Sequence, residues 1–345
     1  MLAVAVEEIG KLAIVDIPPP APGPYEAMIR TEAACLCNLT DRTLIMGQFP
    51  GVDTYPLLLG HESVGIVEAV GEKVRHFAVG DRVVGGLLLK TTDPAYGSGW
   101  GGFSEYTLAG DHHAMVEDGV ATAANGWAEV YEIMRSVPKS ITVEDAVMLC
   151  TWREVYSAFG DFNLKPGDNI LIWGAGPVGL SFVKFARLLG LGEIYNVDRW
   201  PQKRQKALEM GATAAFAPDD PELARFMEGR QRTFDAIIDA VGSEAIMNAA
   251  LPLVKLGGTI GVYGLIKEPL VRLDKARGPF NFNLLIHQWP TRWREHDAQE
   301  PLVAWIEAGK LSYQEFVSVE YPIEEIADAY ALPKASSIIK MLFRF

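Results

Sequence analysis

The chain has 345 residues, 49% hydrophobic and 22% charged, with 31 basic against 44 acidic side chains and a net charge of −13. That length is enough for two packed cores, and the composition excludes disorder as the main state. An acidic surface repels phosphate backbones and no basic cluster offsets it, so the expected partner is a small molecule and not nucleic acid. The N-terminal stretch carries acidic residues where a signal peptide carries basic ones, and no apolar run reaches the roughly eighteen residues of a membrane span, so a soluble cytoplasmic protein is expected.

To about residue 110 the chain reads as short β-like runs broken by Gly and Pro: EAMIRTEAAC, SVGIVEAVG, GDRVVGGLLL and GGFSEYTL. The stretch after Tyr106, about 107–135, is longer than a simple connection and is expected to cap a cleft or serve a subunit contact. Within it His112 and His113 follow Asp111; adjacent side chains point in different directions, so they read as a surface turn rather than a second metal site. From about Ile170 the pattern changes, with apolar strands NILIWG, EIYNVD, DAIIDAVG and GTIGVYGL alternating with helical stretches. Such alternation predicts a parallel sheet covered by helices. HQWPTRWREHD, residues 287–297, reads as an oligomer contact or a hinge. The chain closes on a helix, EPLVAWIEAGKL, and a strand, SIIKMLFRF.

Gly174, Gly176 and Gly179 follow an apolar strand and open an amphipathic helix, with Pro177 and Val178 between the second and third glycines. The first glycine allows a tight turn, the second lets backbone approach a pyrophosphate, and the third lets helix and strand pack closely. The helix N-terminus then offers free N–H groups to the phosphates. Asp198 ends the next strand, where a carboxylate accepts from the ribose hydroxyls and repels a 2′-phosphate, favouring NAD over NADP. Arg199 and Lys203 stand close behind and soften that preference.

Three cysteines, Cys35, Cys37 and Cys150, cannot build a disulfide framework; their uses are packing, metal binding or catalysis. His61 and Glu62 sit in LLLGHESVGIVEAVG. Two thiolates and an imidazole suit zinc and leave a fourth position open. The separations between Cys37, His61 and Cys150 are too long for a local finger, so read alone these residues are equally well buried core.

The order Cys, GHE, VGDRVVG, GGFSEY, Cys, GxGxxG resembles the zinc-dependent medium-chain dehydrogenase/reductase family of alcohol and polyol dehydrogenases, over nearly the whole chain. The resemblance implies an α/β protein of two domains: a GroES-like β-rich catalytic domain from 1–153 and 296–345, and a doubly wound Rossmann NAD-binding domain from 154–295. It implies one catalytic Zn2+ held by Cys37, His61 and Cys150, with Glu62 beside the metal as a neighbouring or exchanging ligand. The metal then serves as a Lewis acid that helps an alcohol ionise and give hydride to NAD. Asp41 resembles the carboxylate that orients the zinc-bound histidine, and Thr40 the hydroxyl that bonds the substrate oxygen and begins a proton relay. CNLTD carries one residue more than the family pattern, the usual relay histidine is replaced by Arg42 and Thr43, and the four-cysteine structural zinc lobe is missing. Glu154, one helical turn after Cys150, is a candidate active-site polar group; Trp152 lines either the substrate cleft or the core. The expected enzyme interconverts a secondary alcohol, polyol or sugar alcohol with its ketone, as a homodimer or homotetramer. A zinc-free quinone or enone reductase of the same superfamily and a non-catalytic nucleotide-binding protein are the rival readings.

Overall fold

The computed structural model describes residues 1–331 and 337–345. The chain divides into two compact units: one holds Met1–Arg153 and the chain from Glu295, including the strand Lys340–Arg344, and the other holds Glu154–Arg294. No helix among the described residues is long and apolar enough to cross a membrane.

The first unit is β-rich. Its central strand, Glu26–Cys35, pairs antiparallel with Ser63–Val70, with Tyr106–Gly110 and with Lys340–Arg344. Ala27 and Ile29 alternate with more exposed neighbours on this strand and pack with Val67, Val83 and Ala109 in one buried cluster, as a half-buried strand of period two requires. The stretch after Tyr106 joins that cluster through Met115, Val130, Tyr131 and Met134. Those four side chains belong to the unit's core, while residues 116–119 and 122–126 of the same stretch are exposed. His112 and His113 are not in a turn: they open the helix His112–Glu117, whose N-cap Asp111 accepts from the Ala114 N–H at 2.9 Å. Trp152 is fully buried against Phe316, with ring centres 5.4 Å apart, so its role is packing.

The second unit is a six-stranded, wholly parallel sheet in the order Ala214–Phe216, Ile194–Val197, Ile170–Trp173, Phe234–Asp239, Val254–Val262, Asn283–Ile286. The order reverses between the strand that precedes the glycine fingerprint and Phe234–Asp239. In open parallel sheets such a switch point opens the crevice where nucleotides bind. Ile170–Trp173 and Ile194–Val197 are buried at every position, which is why they read as apolar runs without alternation.

Candidate metal and nucleotide sites

Strand register builds the metal site. Ala34 lies opposite Ser63, and the Cys35 N–H donates to the Glu62 carbonyl at 2.9 Å. Cys37 leaves one strand just as His61 and Glu62 enter the other, so the three meet. One ligand atom from each lies within 4.8 Å of the other two. The helix Thr40–Ile45 starts immediately after Cys37 and carries Asp41 inward, fully buried. Asp41 Oδ2 accepts from the Cys37 N–H at 2.7 Å, and Oδ1 lies 3.1 Å from His61 Nδ1. With Nδ1 turned to a carboxylate, His61 presents Nε2, 3.9 Å from Glu62 Oε1. This carboxylate–imidazole arrangement is the one that fixes tautomer and ring orientation in metal sites. Thr40 opens the same helix, half-buried, its carbonyl accepting from the Thr43 hydroxyl at 2.9 Å.

Burial alone would lower the His61 pKa, but the Asp41 carboxylate and the Cys37 sulfur outweigh it and hold the imidazole well above its usual 6.5. A metal must displace that proton. Zinc affinity is therefore expected to climb with pH, about tenfold per unit for each proton released, and to go on climbing above the ordinary histidine range. Chelator competition at a series of pH values measures this, and an affinity flat across neutrality contradicts it.

Lys340 is the residue that sequence reasoning missed. The pairing of Leu342 with Cys35 brings the C-terminal strand beside the site. There the Lys340 ammonium, 2% exposed, lies 2.5 and 2.7 Å from the two Glu62 oxygens and donates to the Thr151 hydroxyl at 2.9 Å. Thr151 in turn donates to Glu62 at 3.1 Å. Burial opposes the charge on Lys340, but Glu62 and the neighbouring cysteine sulfurs raise its pKa above the usual lysine value.

Cys150 stands outside the group of three. It is buried on the helix Val143–Asp161, and its Sγ donates to the Ser63 carbonyl at 3.6 Å. Cys35 is fully buried, and burial pushes its thiol pKa well up, the mark of an inert core cysteine. Glu154 lies one turn beyond Cys150, its Oε2 accepting from the Tyr263 hydroxyl at 3.4 Å. One aromatic ring flanks His61: Trp100 meets it edge to face with centres 5.6 Å apart, and Phe49 packs in turn on Trp100 at 5.7 Å. Trp100 holds φ of +69°, a conformation uncommon for a bulky side chain and found where surroundings enforce it.

The donor set fits zinc. Bonds of about 2.0–2.3 Å place tetrahedral donors roughly 3.3–3.8 Å apart, so the donors within 4.8 Å need only small side-chain adjustments to close on one ion.

In the nucleotide unit Gly174 has φ of +101°, and a Cβ on Gly179 would lie 2.0 Å from the Gly174 carbonyl oxygen. Helix and turn approach that closely only with glycine present. A Cβ on Gly176 would meet nothing within 4 Å, leaving its backbone open to a ligand. Pro177 and Val178 form the first turn of the helix Pro177–Leu188, with Gly176 at the N-cap. Asp198 Oδ2 accepts from the Ala175 N–H at 2.7 Å and Oδ1 from the Trp200 N–H at 2.8 Å. The carboxylate thus ties the fingerprint loop to the second strand and retains acceptor capacity on both oxygens. Arg199 stacks over Trp200 at 5.1 Å. Lys203 is partly buried beside Asp198, and that burial lowers its pKa.

Residues 23–117 match the alcohol dehydrogenase GroES-like domain and residues 177–289 the zinc-binding dehydrogenase family. The NADP-dependent isopropanol dehydrogenase of Thermoanaerobacter brockii is 32% identical over 81% of this chain and 81% of its own. An alcohol dehydrogenase of Cupriavidus necator is 26% identical over 96% of this chain and 94% of its own. Among solved structures, an Escherichia coli alcohol dehydrogenase complexed with NADH superposes with a TM-score of 0.79 at 22% identity, covering 100% of this chain and 99% of that one. The chain belongs to the zinc-dependent medium-chain dehydrogenase/reductase family.

Proposed function

We propose that the protein interconverts a secondary alcohol and its ketone, with NAD as hydride carrier and one zinc ion at Cys37, His61 and Cys150. The observation that carries this reading is the convergence of Cys37, His61 and Glu62 around an oriented imidazole, in a chain that also holds a nucleotide fingerprint. Zinc, when bound, supplies the Lewis acidity that lets an alcohol ionise near neutral pH. Asp41 fixes the His61 tautomer, and Lys340 keeps Glu62 paired. Thr40 receives the substrate oxygen and passes its proton outward, a role we carry over from the family motif.

Competition for Glu62 supports Cys150 as the third ligand. Glu62 leaves the group only by breaking short, charge-assisted bonds to Lys340 in a buried setting, whereas Cys150 gives up a weak S–H bond to a carbonyl. Glu62 then serves as the carboxylate that approaches the metal when Lys340 lets it. Zinc content separates the two: Cys150→Ser is expected to lose the ion and Glu62→Gln to keep it. Glu154 is proposed as an active-site polar group through its bond to Tyr263.

Trp100 beside His61, with Phe49 packed on it, supports an apolar substituent on the substrate carbon over a polyol chain. A screen of secondary alcohols and polyols for zinc-dependent NADH production tests the function, and absence of turnover on every member counts against it.

For the cofactor, Asp198 supports NAD by repelling a 2′-phosphate, although the isopropanol dehydrogenase relative is NADP-dependent. Because Asp198 also anchors the Ala175 and Trp200 amides, Asp198→Ala is expected to weaken binding of both cofactors. The informative quantity is the NAD to NADP ratio of kcat/KM, expected to fall at least about tenfold; an unchanged ratio removes Asp198 from cofactor choice.

A homodimer or homotetramer is supported by the terminal strand Asn283–Ile286, paired on one side in the sheet order, with Ile286 exposed at its end and Phe280 shortly before it. Such an edge invites pairing with a second chain. Three free cysteines suit the reducing cytoplasm, where we place the enzyme.

A further inference from the structure

Four of the chain's six histidines gather on the β-rich unit away from Cys37 and His61. His113 stands between His76 and His296, with ring centres 5.3 and 5.5 Å away, and His112 lies 5.3 Å from it on the same helix. They come from three segments: the loop before Phe77, the helix His112–Glu117, and the helix Arg292–Asp297. His76 and His113 are exposed and His112 and His296 half-buried, so an ion can reach them from solvent.

The tautomers are informative. His76 Nδ1 donates to Asp111 at 2.9 Å and His296 Nδ1 to Asp297 at 3.1 Å. With Nδ1 given to a carboxylate, each ring offers Nε2 to a metal, in the manner of metal-binding histidines. His296 Nε2 is buried and has no hydrogen-bond partner among the described residues, a condition that calls for an ion or water. His76 Nε2 faces Glu117 Oε1 at 3.4 Å, a spacing that one shared cation would also bridge, while Arg75 holds the other Glu117 oxygen at 3.0 Å. A separation of about 3.3 Å is what two donors take on one tetrahedral zinc, and imidazoles sharing such an ion have ring centres about 5.2 Å apart. His112 is differently placed: its Nδ1 accepts from Trp127 Nε1 at 3.1 Å, so it braces the cluster instead of ligating.

We propose that His76, His113 and His296, with Glu117 beside them, form a second metal site, for a divalent transition ion of the zinc type. Imidazole with a carboxylate suits zinc, nickel and copper and disfavours magnesium and calcium. The rings pack at 59° and 77° to one another, and their nitrogens are not drawn as close as the Cys37, His61 and Glu62 donors. Binding therefore turns His113 about its Cβ–Cγ bond. Burial, and for His113 also the neighbouring imidazoles, lowers the pKa of His112 and His113, which favours the uncharged, ligating form of the His113 ring.

Tag-free full-length protein dialysed against zinc at neutral pH is expected to hold one equivalent more than the His113→Gln/His296→Gln double variant, read by elemental analysis. Equal zinc content in the two overturns the site, whatever that content is. Should the double variant fold poorly, zinc titration of the Cys37→Ser protein followed by histidine ring-proton NMR decides. Shifts of the His76, His113 and His296 resonances on zinc but not on magnesium support the site. Unmoved resonances leave His76 as a hydrogen-bond partner of Asp111 and Glu117 alone, and sink the proposal.

Discussion

Cys37→Ser is expected to abolish zinc retention at the catalytic group and to lower kcat/KM by at least about a thousandfold, the loss of several kcal/mol of charge stabilisation. Removing zinc from the unaltered protein with a chelator should do the same, reversibly. The reason lies in the geometry. Cys37 contributes a sulfur to the convergent group, and its own N–H holds Asp41, which in turn positions His61. The serine keeps that backbone bond, so the imidazole remains oriented while the soft ligand is lost. NAD binding, measured by fluorescence titration, should survive, because the glycine fingerprint belongs to a separately folded part of the chain. Turnover surviving in zinc-free Cys37→Ser would refute the metal-dependent mechanism and revive a zinc-free reductase.

The second large effect is at the other side of Glu62. Lys340→Met removes the cation from a pair in which both side chains are nearly inaccessible. Breaking a buried pair from one side typically costs about 3–5 kcal/mol, because the remaining charge is left without compensation. The metal-free variant is therefore expected to unfold at markedly lower denaturant, and Glu62→Gln added to Lys340→Met should restore much of the difference. A double-mutant cycle gives the coupling directly; additive effects would show that the two side chains do not depend on each other. With zinc present the single variant should lose less stability, since Glu62 then has a cation to approach. That contrast between metal-free and metal-loaded protein separates a role at the site from one in packing alone.

The fold class was legible because it rests on local pattern. Gly174 and Gly179 follow a four-residue apolar strand, and the close approach of helix to turn demands those residues. The parallel sheet announced itself through apolar strands alternating with helical stretches, and the β-rich unit through short β-like runs broken by Gly and Pro. The metal group was only partly legible. Nothing in the spacing of Cys37 and His61 brings them together; the antiparallel register of two strands does, and only resemblance to a family could anticipate it. Lys340 was missed because a lysine in a terminal strand ordinarily reads as solvent-facing. Its neighbours Ile339, Met341, Leu342 and Phe343 are all buried, and an uninterrupted apolar run on both sides of a lysine is the signal that should have suggested an internal carboxylate partner. His112 and His113 open a helix where the sequence reads as a turn, because Asp111 caps that helix through the Ala114 N–H, a local signal that one acidic residue before two histidines does not announce.

The lysine that neutralises Glu62 is made 278 residues after it, whereas all six strands of the parallel sheet lie between Ile170 and Ile286. On a ribosome the parallel sheet is thus free to fold as soon as it emerges. The first strands meanwhile wait with an unbalanced carboxylate at their heart, until the strand Lys340–Arg344 is threaded beside Glu26–Cys35. Closure around Glu62 therefore depends on a strand that follows it by more than two hundred residues.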